Sequence, residues 1–164
     1  MVHNTYSIIE IAEIIDARII AKQDTDIQIK DILVDSRRLI SAQDCLFFAL
    51  VTNRGNGHKY IQDLYARGVK AFVISQHSDQ LSSMPNAVFL EVNNTLSALQ
   101  KLAAKHRDLF NIPVIGITGS NGKTIVKEWL YQLLGNEKKV IRSPKSYNSQ
   151  VGVPLSVWQL GEKH

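Results

Sequence analysis

Residues 113–124 read PVIGITGSNGKT, and this stretch decides the fold of the second half of the chain. Its apolar run predicts a buried strand over 114–117, followed by a glycine turn and, after Thr124, a helix. The helix carries its apolar residues on one face and is predicted to end at Gly135, before a second strand over 139–142. Strand, glycine turn, helix and strand in this order predict a parallel β-α-β unit.

The glycine turn has the features of a phosphate-binding loop. Backbone N–H groups in such a turn point at phosphate oxygens, a lysine reaches the terminal phosphates, and a hydroxyl binds Mg²⁺. The loop is a variant of the strict pattern G-x-x-x-x-G-K-S/T, because Ile117 stands where that pattern requires glycine. The residues predicted to bind nucleotide phosphate are Gly119, Ser120, Asn121, Gly122, Lys123 and Thr124, with Thr124 as the metal ligand.

The composition describes a globular protein without disulfide bonds. The chain has 164 residues, of which 45% are hydrophobic and 21% are charged, and these values argue against disorder. The single cysteine, Cys45, lies in the apolar run CLFFAL, which predicts a core position and excludes a disulfide framework. The sequence shows neither a membrane-spanning run nor a secretory signal, so we expect a cytoplasmic protein without a membrane partner.

The charge of the chain is distributed unevenly. Residues 1–92 carry a net charge of −2, whereas residues 93–164 carry +6. A basic second half suits an anionic ligand such as a nucleotide, and it equally suits acidic partners elsewhere in a longer sequence. The lysines and arginines are scattered and no recognition motif accompanies them, so we do not expect a nucleic-acid partner.

The pattern of apolar residues divides the chain into two predicted units. Residues 1–92 predict a small mixed α/β domain that opens with a capping box, Ser7 to Glu10, and residues 93–164 predict a helix followed by the β-α-β unit. The further predicted elements are strands over 18–21, 27–34, 45–51, 71–75 and 87–92, a loop over 52–57, and helices over 58–67 and 93–110. Two parallel strands rarely complete a domain, so we expect a longer protein.

The loop TGSNGKT at 118–124 resembles the nucleotide loop of the Mur ligases, the ATP-dependent amide-forming enzymes of peptidoglycan synthesis. Folylpolyglutamate synthases carry a similar loop, so this segment alone does not choose between the two families. The resemblance implies ATP and Mg²⁺ as cofactors. It also implies that Lys123 is catalytic and stabilises the transferring phosphoryl group, and that residues 93–164 begin the family's central P-loop ATPase domain.

Two earlier segments resemble the N-terminal domain of the same family, which binds the UDP end of a UDP-muramyl peptide. They are DSR at 35–37 and, after an apolar strand, NRGNGH at 53–58. Thr52 and Asn56 replace the usual glycine and aspartate, which changes the loop and removes a charge. The resemblance implies that residues 1–92 form the UDP-substrate domain. The substrate-binding residues that it implies are Ser36, Arg37, Asn53, Arg54 and His58.

The run SPKSYNSQVGVPLSVWQL at 143–160 resembles one branch of the family, which joins D-alanyl-D-alanine to UDP-N-acetylmuramoyl tripeptide. The version most like it is fused to an alanine racemase in some bacteria, which implies a racemase domain as a further partner. Within this run, the resemblance places Asn148 near the nucleotide and the reacting carboxylate. The implied reaction proceeds through an acyl phosphate.

Three alternatives stay open at this point. The first is another Mur ligase that adds a single amino acid, which the segment around Asn148 argues against. The second is a non-catalytic module that binds a UDP-sugar or a nucleotide, for which a magnesium-anchoring Thr124 would be superfluous. The third is a P-loop kinase or GTPase, which leaves residues 1–92 unexplained. In each ligase interpretation, we expect these 164 residues alone not to catalyse ligation.

Overall fold

The computed structural model describes residues 5–21, 27–53, 55–77, 81, 83–144, 147 and 149–161. These residues form two compact units, 5–102 and 103–161. The fold is mixed α/β, with parallel and antiparallel strand pairs. The sequence-based domain boundary at residue 92 stays a prediction.

The described residues contain short strands and five helices in addition to two 3₁₀ turns, at Ser36–Arg38 and Gly57–Tyr60. The strands are β1 (Tyr6–Ser7), β2 (Arg18–Ala21), β3 (Gln28–Ile29), β4 (Asp31–Leu33), β5 (Cys45–Phe48), β6 (Val51–Thr52), β7 (Gly55–Asn56), β8 (Ala71–Ile74) and β9 (Val88–Glu91). The helices are α1 (Ile8–Ile14), α2 (Ile61–Ala66), α3 (Thr95–Asp108), α4 (Lys123–Leu134) and α5 (Gly152–Val157).

The first unit is organised around a five-stranded sheet in the order β2-β9-β8-β5-β4. Strands β4, β5, β8 and β9 are parallel, and β2 is antiparallel to β9. Phe72 in β8 stacks on Phe89 with ring centroids 5.4 Å apart and meets the edge of Phe47 at 6.4 Å. Strands buried on both faces read as continuous apolar runs, which is why CLFF and AFVI predict strands correctly.

Local signals fix the helix ends of this unit as predicted. The Ser7 hydroxyl accepts a hydrogen bond from the Glu10 backbone N–H at 3.2 Å, and the Glu10 carboxylate accepts one from the Ser7 N–H at 2.7 Å. This reciprocal pair confirms the predicted capping box. Gly68, at φ 96°, follows α2 in the left-handed region and confirms the predicted helix stop. Cys45 is buried, as predicted.

Two predictions for the first unit are wrong. The single strand predicted over 27–34 is divided into β3 and β4, because the backbone N–H groups of Lys30 and Asp31 both donate to the Asp44 carbonyl, at 2.9 and 3.0 Å. As a result β3 pairs with β1 and β4 pairs with β5. The loop predicted over 52–57 contains a two-stranded hairpin, in which β6 pairs with β7.

For residues 93–161, the structure confirms the predicted helices but not the predicted strands. The described residues of 103–161 contain no strand, so the predictions of strands over 114–117 and 139–142 are wrong. A strand needs a neighbouring backbone to complete its hydrogen bonds, and none of the described segments of this unit pairs with either stretch. Val114 and Ile115 are accordingly 70% and 60% exposed, although their apolar character predicts burial.

Helix α4 has the predicted apolar face, but much of that face is exposed. Ile125, Trp129 and Leu133 are 56%, 63% and 73% exposed.

Elsewhere in the unit, His106 is buried between Phe110 and Trp158, with ring centroids 5.1 and 4.7 Å away. Among the described residues, no helix is both long and apolar enough to cross a membrane.

Candidate functional site

Several predicted substrate residues follow the carboxyl ends of neighbouring parallel strands. The chain leaves β4 into Asp35, Ser36 and Arg37, and it leaves β5 into the segment that reaches His58. Because β4, β5 and β8 are parallel, their carboxyl ends lie along one edge of the sheet. Open α/β sheets bind ligands outside this edge. We call it the carboxyl edge.

Arg37 is held by its neighbour in sequence. Asp35 caps the 3₁₀ turn by accepting the Arg37 backbone N–H at 3.1 Å, and its two carboxylate oxygens accept Nε and Nη2 of Arg37 at 2.9 and 2.8 Å. The hydrogen bond from Arg37 is the main cause that lowers the pKa of Asp35 to about 2. The Arg37 side chain is 87% exposed, and such exposed pairs contribute little to stability, so a ligand anion can replace Asp35.

Ser36 is buried, and its position depends on a residue that the sequence did not single out. Arg67, which follows α2, donates from Nη1 to the Ser36 carbonyl at 2.9 Å and to the Asp63 carboxylate at 3.3 Å. The end of α2 is thereby bonded to the turn after β4. The i, i+4 spacing of Asp63 and Arg67 in the sequence indicates an ion pair between these two side chains on a helix. It does not indicate the hydrogen bond from Arg67 to the Ser36 carbonyl.

His58 reaches the end of β8. Its Nε2 lies 3.0 Å from the Ser75 backbone nitrogen and 3.2 Å from that of Gln76, and its Nδ1 lies 2.7 Å from Oδ1 of Asn56. Burial lowers the pKa of His58 below its usual value. Because of the contacts with Asn56, Ser75 and Gln76, both ring nitrogens are engaged within the protein.

The residue before His58 has to be glycine. A Cβ placed on Gly57 would lie 2.7 Å from the Leu50 nitrogen and 2.8 Å from the Ala49 carbonyl carbon, closer than real contacts allow. The Gly57 N–H donates to the Leu50 carbonyl at 2.8 Å. The chain therefore packs directly against the end of β5 at this point. Asn53 is exposed in the turn after β6, and the predicted site residues Arg54 and Asn148 lie outside the described residues.

The predicted nucleotide loop has glycines in the two places where its backbone requires them. Gly119 and Gly122 have φ values of 146° and 77°, which favour glycine. Lys123 begins α4, and its Nζ donates back to the carbonyls of Gly119 and of Ser120, the latter at 3.3 Å. The ammonium group therefore lies against the loop. Asn121 is exposed.

A cavity of about 280 Å³ begins beside this loop, within the second unit. Lys123 and Thr124 line it together with the apolar side chains Ile115, Ile117, Leu130, Leu134, Val140 and Ile141. Two further cations that sequence reasoning missed also line it. Lys127 donates to the Ser143 carbonyl at 2.8 Å, and the Arg142 guanidinium lies 3.9 Å from the centre of the Tyr131 ring.

The loop can contact Mg²⁺ only through oxygen atoms. The described residues hold no cluster of three His, Cys, Asp or Glu side chains that would bind a metal by itself. Mg²⁺ in nucleotide sites takes one or two protein oxygens and completes its shell with phosphates and water. Thr124, which lines the cavity beside Lys123, carries a side-chain oxygen of this kind.

Comparison with known proteins relates the chain to one family of enzymes. Residues 117–164 match the family model described as the Mur ligase middle domain. The UDP-N-acetylmuramoyl-tripeptide–D-alanyl-D-alanine ligase of Haemophilus influenzae is 33% identical over 162 residues, which cover 96% of this chain and 34% of that protein. This chain is related to the Mur ligases. It spans about a third of the length of the curated relatives that it matches.

Solved Mur ligase structures share the fold. The MurF crystal structure from Acinetobacter baumannii superposes with a TM-score of 0.87 at 27% identity, covering 98% of this chain and 34% of that one. The MurF ligase from Thermotoga maritima in complex with ADP has a TM-score of 0.63 at 30% identity, covering 78% of this chain and 28% of that one. The predicted relation to the Mur ligases is confirmed.

Proposed function

We propose that this chain supplies the UDP-substrate edge and the nucleotide loop of an ATP-dependent ligase that joins D-alanyl-D-alanine to UDP-N-acetylmuramoyl tripeptide in peptidoglycan synthesis. The observation that carries the proposal is the carboxyl edge. There, two segments that resemble the family's substrate residues, 35–37 and 53–58, follow adjacent parallel strands. Relatives from Haemophilus influenzae and Bacillus subtilis are named UDP-N-acetylmuramoyl-tripeptide–D-alanyl-D-alanine ligase, which supports the same substrates for this chain.

At the carboxyl edge, Arg37 binds a phosphate of the UDP group by exchanging its Asp35 partner for phosphate oxygens. A guanidinium fork fits two oxygens at once, which makes arginine suited to this exchange. Ser36 provides a hydroxyl on the turn that Arg67 fixes. Asn53, Arg54 and His58 complete the implied set, and Asn148 belongs to the proposed site for the reacting carboxylate.

The loop at 119–124 binds the phosphates of ATP, and the ADP complex of the Thermotoga relative supports this part of the proposal. Lys123 exchanges the loop carbonyls for phosphate oxygens and stabilises the charge that develops on the transferring phosphoryl group. Thr124 holds Mg²⁺, which neutralises phosphate charge when bound. Ser120 and Asn121 contribute their backbone N–H groups.

The reaction itself transfers the γ-phosphoryl group of ATP to the carboxylate of the tripeptide. The amine of D-alanyl-D-alanine then attacks the acyl carbon, an amide bond forms, and phosphate leaves. This chain is about a third as long as the ligases to which it is similar, so we expect the 164 residues alone to bind ligands without catalysing ligation.

Isothermal titration of UDP-N-acetylmuramoyl tripeptide into the chain tests the substrate edge. Arg37→Ala is expected to weaken binding about tenfold or more, since charge-assisted bonds to phosphate are lost. Lys30→Ala is the matched control, because Lys30 also pairs with an aspartate, Asp44, at 3.1 Å but lies at the amino ends of β4 and β5. Equal affinities for wild type and Arg37→Ala, or no heat at millimolar ligand, would contradict this assignment.

ATP titration with and without Mg²⁺ tests the loop. Lys123→Ala is expected to abolish the magnesium-dependent affinity, whereas Lys138→Ala, which removes an exposed lysine after α4, is expected to leave it unchanged. ATP affinity that does not depend on Mg²⁺ would favour a non-catalytic nucleotide-binding module over a ligase.

A further inference from the structure

The hydrogen bonds around His58 determine which of its ring nitrogens carries the proton. The Ser75 and Gln76 backbone groups that approach Nε2 are donors only, so Nε2 has to be an unprotonated acceptor. The neutral ring then carries its proton on Nδ1 and donates it to Asn56. His58 is therefore the Nδ1–H tautomer.

The orientation of the Asn56 amide supports this assignment independently. Its Oδ1 also accepts the His58 backbone N–H at 3.0 Å, and its Nδ2 donates to Oε1 of Gln76 at 2.9 Å. Reversing the amide would place an NH₂ group against the His58 backbone N–H, so Oδ1 is the atom that faces Nδ1 of His58. Asn56 and His58 thus form a continuous set of hydrogen bonds from β7 to the residues that follow β8.

This set of bonds fastens the hairpin β6–β7 to the carboxyl edge. Asn56 belongs to β7 and is the register partner of Val51 in β6. Ser75 and Gln76 follow β8 directly, and Gly57 packs against the end of β5. The two residues that connect β6 and β7 in the sequence, Asn53 and Arg54, are among those that resemble the family's substrate residues.

We propose that His58 is a positioning residue for the UDP end of the substrate: through Nδ1–H and a bare Nε2, it fixes the hairpin β6–β7 against the carboxyl end of β8. This inference rests on the proposed function, and it refines the implied role of His58 from a ligand contact to a support. Protonation of Nε2, or loss of the ring, leaves two backbone donors without their acceptor and releases the hairpin.

Imidazole ¹⁵N NMR of the 164-residue chain tests the tautomer without any ligand. We expect Nδ1 of His58 to be protonated and Nε2 to be bare at neutral pH. His106 is the internal reference, because its Nε2 lies 3.1 Å from the Leu160 carbonyl, an acceptor, and must carry the opposite proton arrangement. A protonated Nε2 on His58 would overturn the proposal.

Substitutions separate the two halves of the His58 contact. In His58→Gln, the side-chain oxygen can replace Nε2 as acceptor for Ser75 and Gln76, whereas His58→Asn retains only a donor toward Asn56. We expect His58→Gln to keep amide-exchange protection at residues 75 and 76 and to bind UDP within about threefold of wild type. We expect His58→Asn and His58→Phe to lose this amide-exchange protection. We also expect both variants to bind UDP at least about tenfold more weakly, which corresponds to about 1.4 kcal/mol of binding free energy.

His77→Gln is the control, since His77 is exposed and its replacement leaves these bonds in place. Circular dichroism of each variant verifies that the sheet is folded before affinities are compared. Unchanged UDP affinity in a folded His58→Phe variant would overturn the positioning role. If the tautomer and the exchange pattern hold but the wild-type chain does not bind UDP, the proposed function is wrong and His58 fastens the hairpin for another purpose.

Discussion

The two units of this chain present their candidate sites in different ways. In residues 5–102, the carboxyl edge belongs to a five-stranded sheet with a buried core, and side chains from separate segments fix its turns. In residues 103–161, the loop at 119–124 is followed by a well-formed helix, but the described residues around it form no strand. One candidate site is therefore built into a sheet, whereas the other lies on a glycine turn and a helix, with no strand among the described residues of its unit.

Two histidines, the half-buried His58 and the buried His106, show the same contrast at the level of single side chains. His58 joins a hairpin to a strand end through three of its neighbours and serves the proposed substrate edge. His106 packs on Phe110 and Trp158 and bonds the Leu160 carbonyl, which ties α3 to the segment after α5. We propose that the first set of contacts positions a substrate site, whereas the second contributes to packing.

The largest effect that we predict lies in the core of the first unit. Phe72→Ala removes a fully buried ring that contacts Phe47 and Phe89, and it is expected to lower the free energy of unfolding by about 3–5 kcal/mol. Denaturant unfolding followed by circular dichroism measures the loss. A change below about 1 kcal/mol would mean that the sheet is less tightly packed than the structure shows.

Gly57→Ala is expected to cost less, but to affect function as well. The added methyl group meets the backbone of Ala49 and Leu50, which cannot rotate away as a side chain would. We expect a destabilisation of about 1–3 kcal/mol and weaker UDP binding. The matched variant is Gly55→Ala, where a Cβ meets nothing within 4 Å; an equal loss in both would contradict the role assigned to close packing.

Acidification is expected to destabilise both units through their histidines. Burial lowers the pKa of His58 and of His106 below the usual 6.5, so in mildly acidic solution the unfolded chain binds protons that the folded chain does not. The free energy of unfolding should therefore be greatest above pH 6.5 and fall as the pH drops below it. Unfolding curves of wild type and of His58→Gln and His106→Gln measure this. Each variant should show a shallower pH dependence than wild type.

The smallest effect is expected on α4. Trp129→Ser removes a ring that is 63% exposed, so the free energy of unfolding should change by no more than about 0.5 kcal/mol. The same unfolding assay that is used for Phe72→Ala measures it. A loss of 2 kcal/mol or more would show that this face is covered in solution and would remove the contrast between the units.

Local signals made much of the fold predictable. The capping box at Ser7, the stop at Gly68 and the apolar runs of β5 and β8 depend on neighbours in sequence and are confirmed. The division of 27–34 into two strands depends on the Asp44 carbonyl, which is distant in sequence. The strands predicted over 114–117 and 139–142 failed for a related reason, because a strand depends on partners that its own residues do not specify.

The candidate site was predictable only in part. The motifs at 35–37, 53–58 and 118–124 could be recognised from the sequence, since glycines and charged residues recur there at fixed spacing. The support for those motifs could not. Arg67 at the Ser36 carbonyl and Gln76 at the Asn56 amide are ordinary polar residues whose contacts arise only from the topology of the sheet.

In the proposed function, the edge beyond β4 and β5 binds the UDP end of the substrate and the loop before α4 binds ATP. Two-dimensional amide NMR of the chain, titrated separately with UDP-N-acetylmuramoyl tripeptide and with ATP and Mg²⁺, tests it directly. We expect the first ligand to shift the amide signals of Ser36, Arg37 and His58, and the second ligand to shift those of residues 119–124. Perturbation of the loop alone by both ligands, with the edge unchanged, would contradict it.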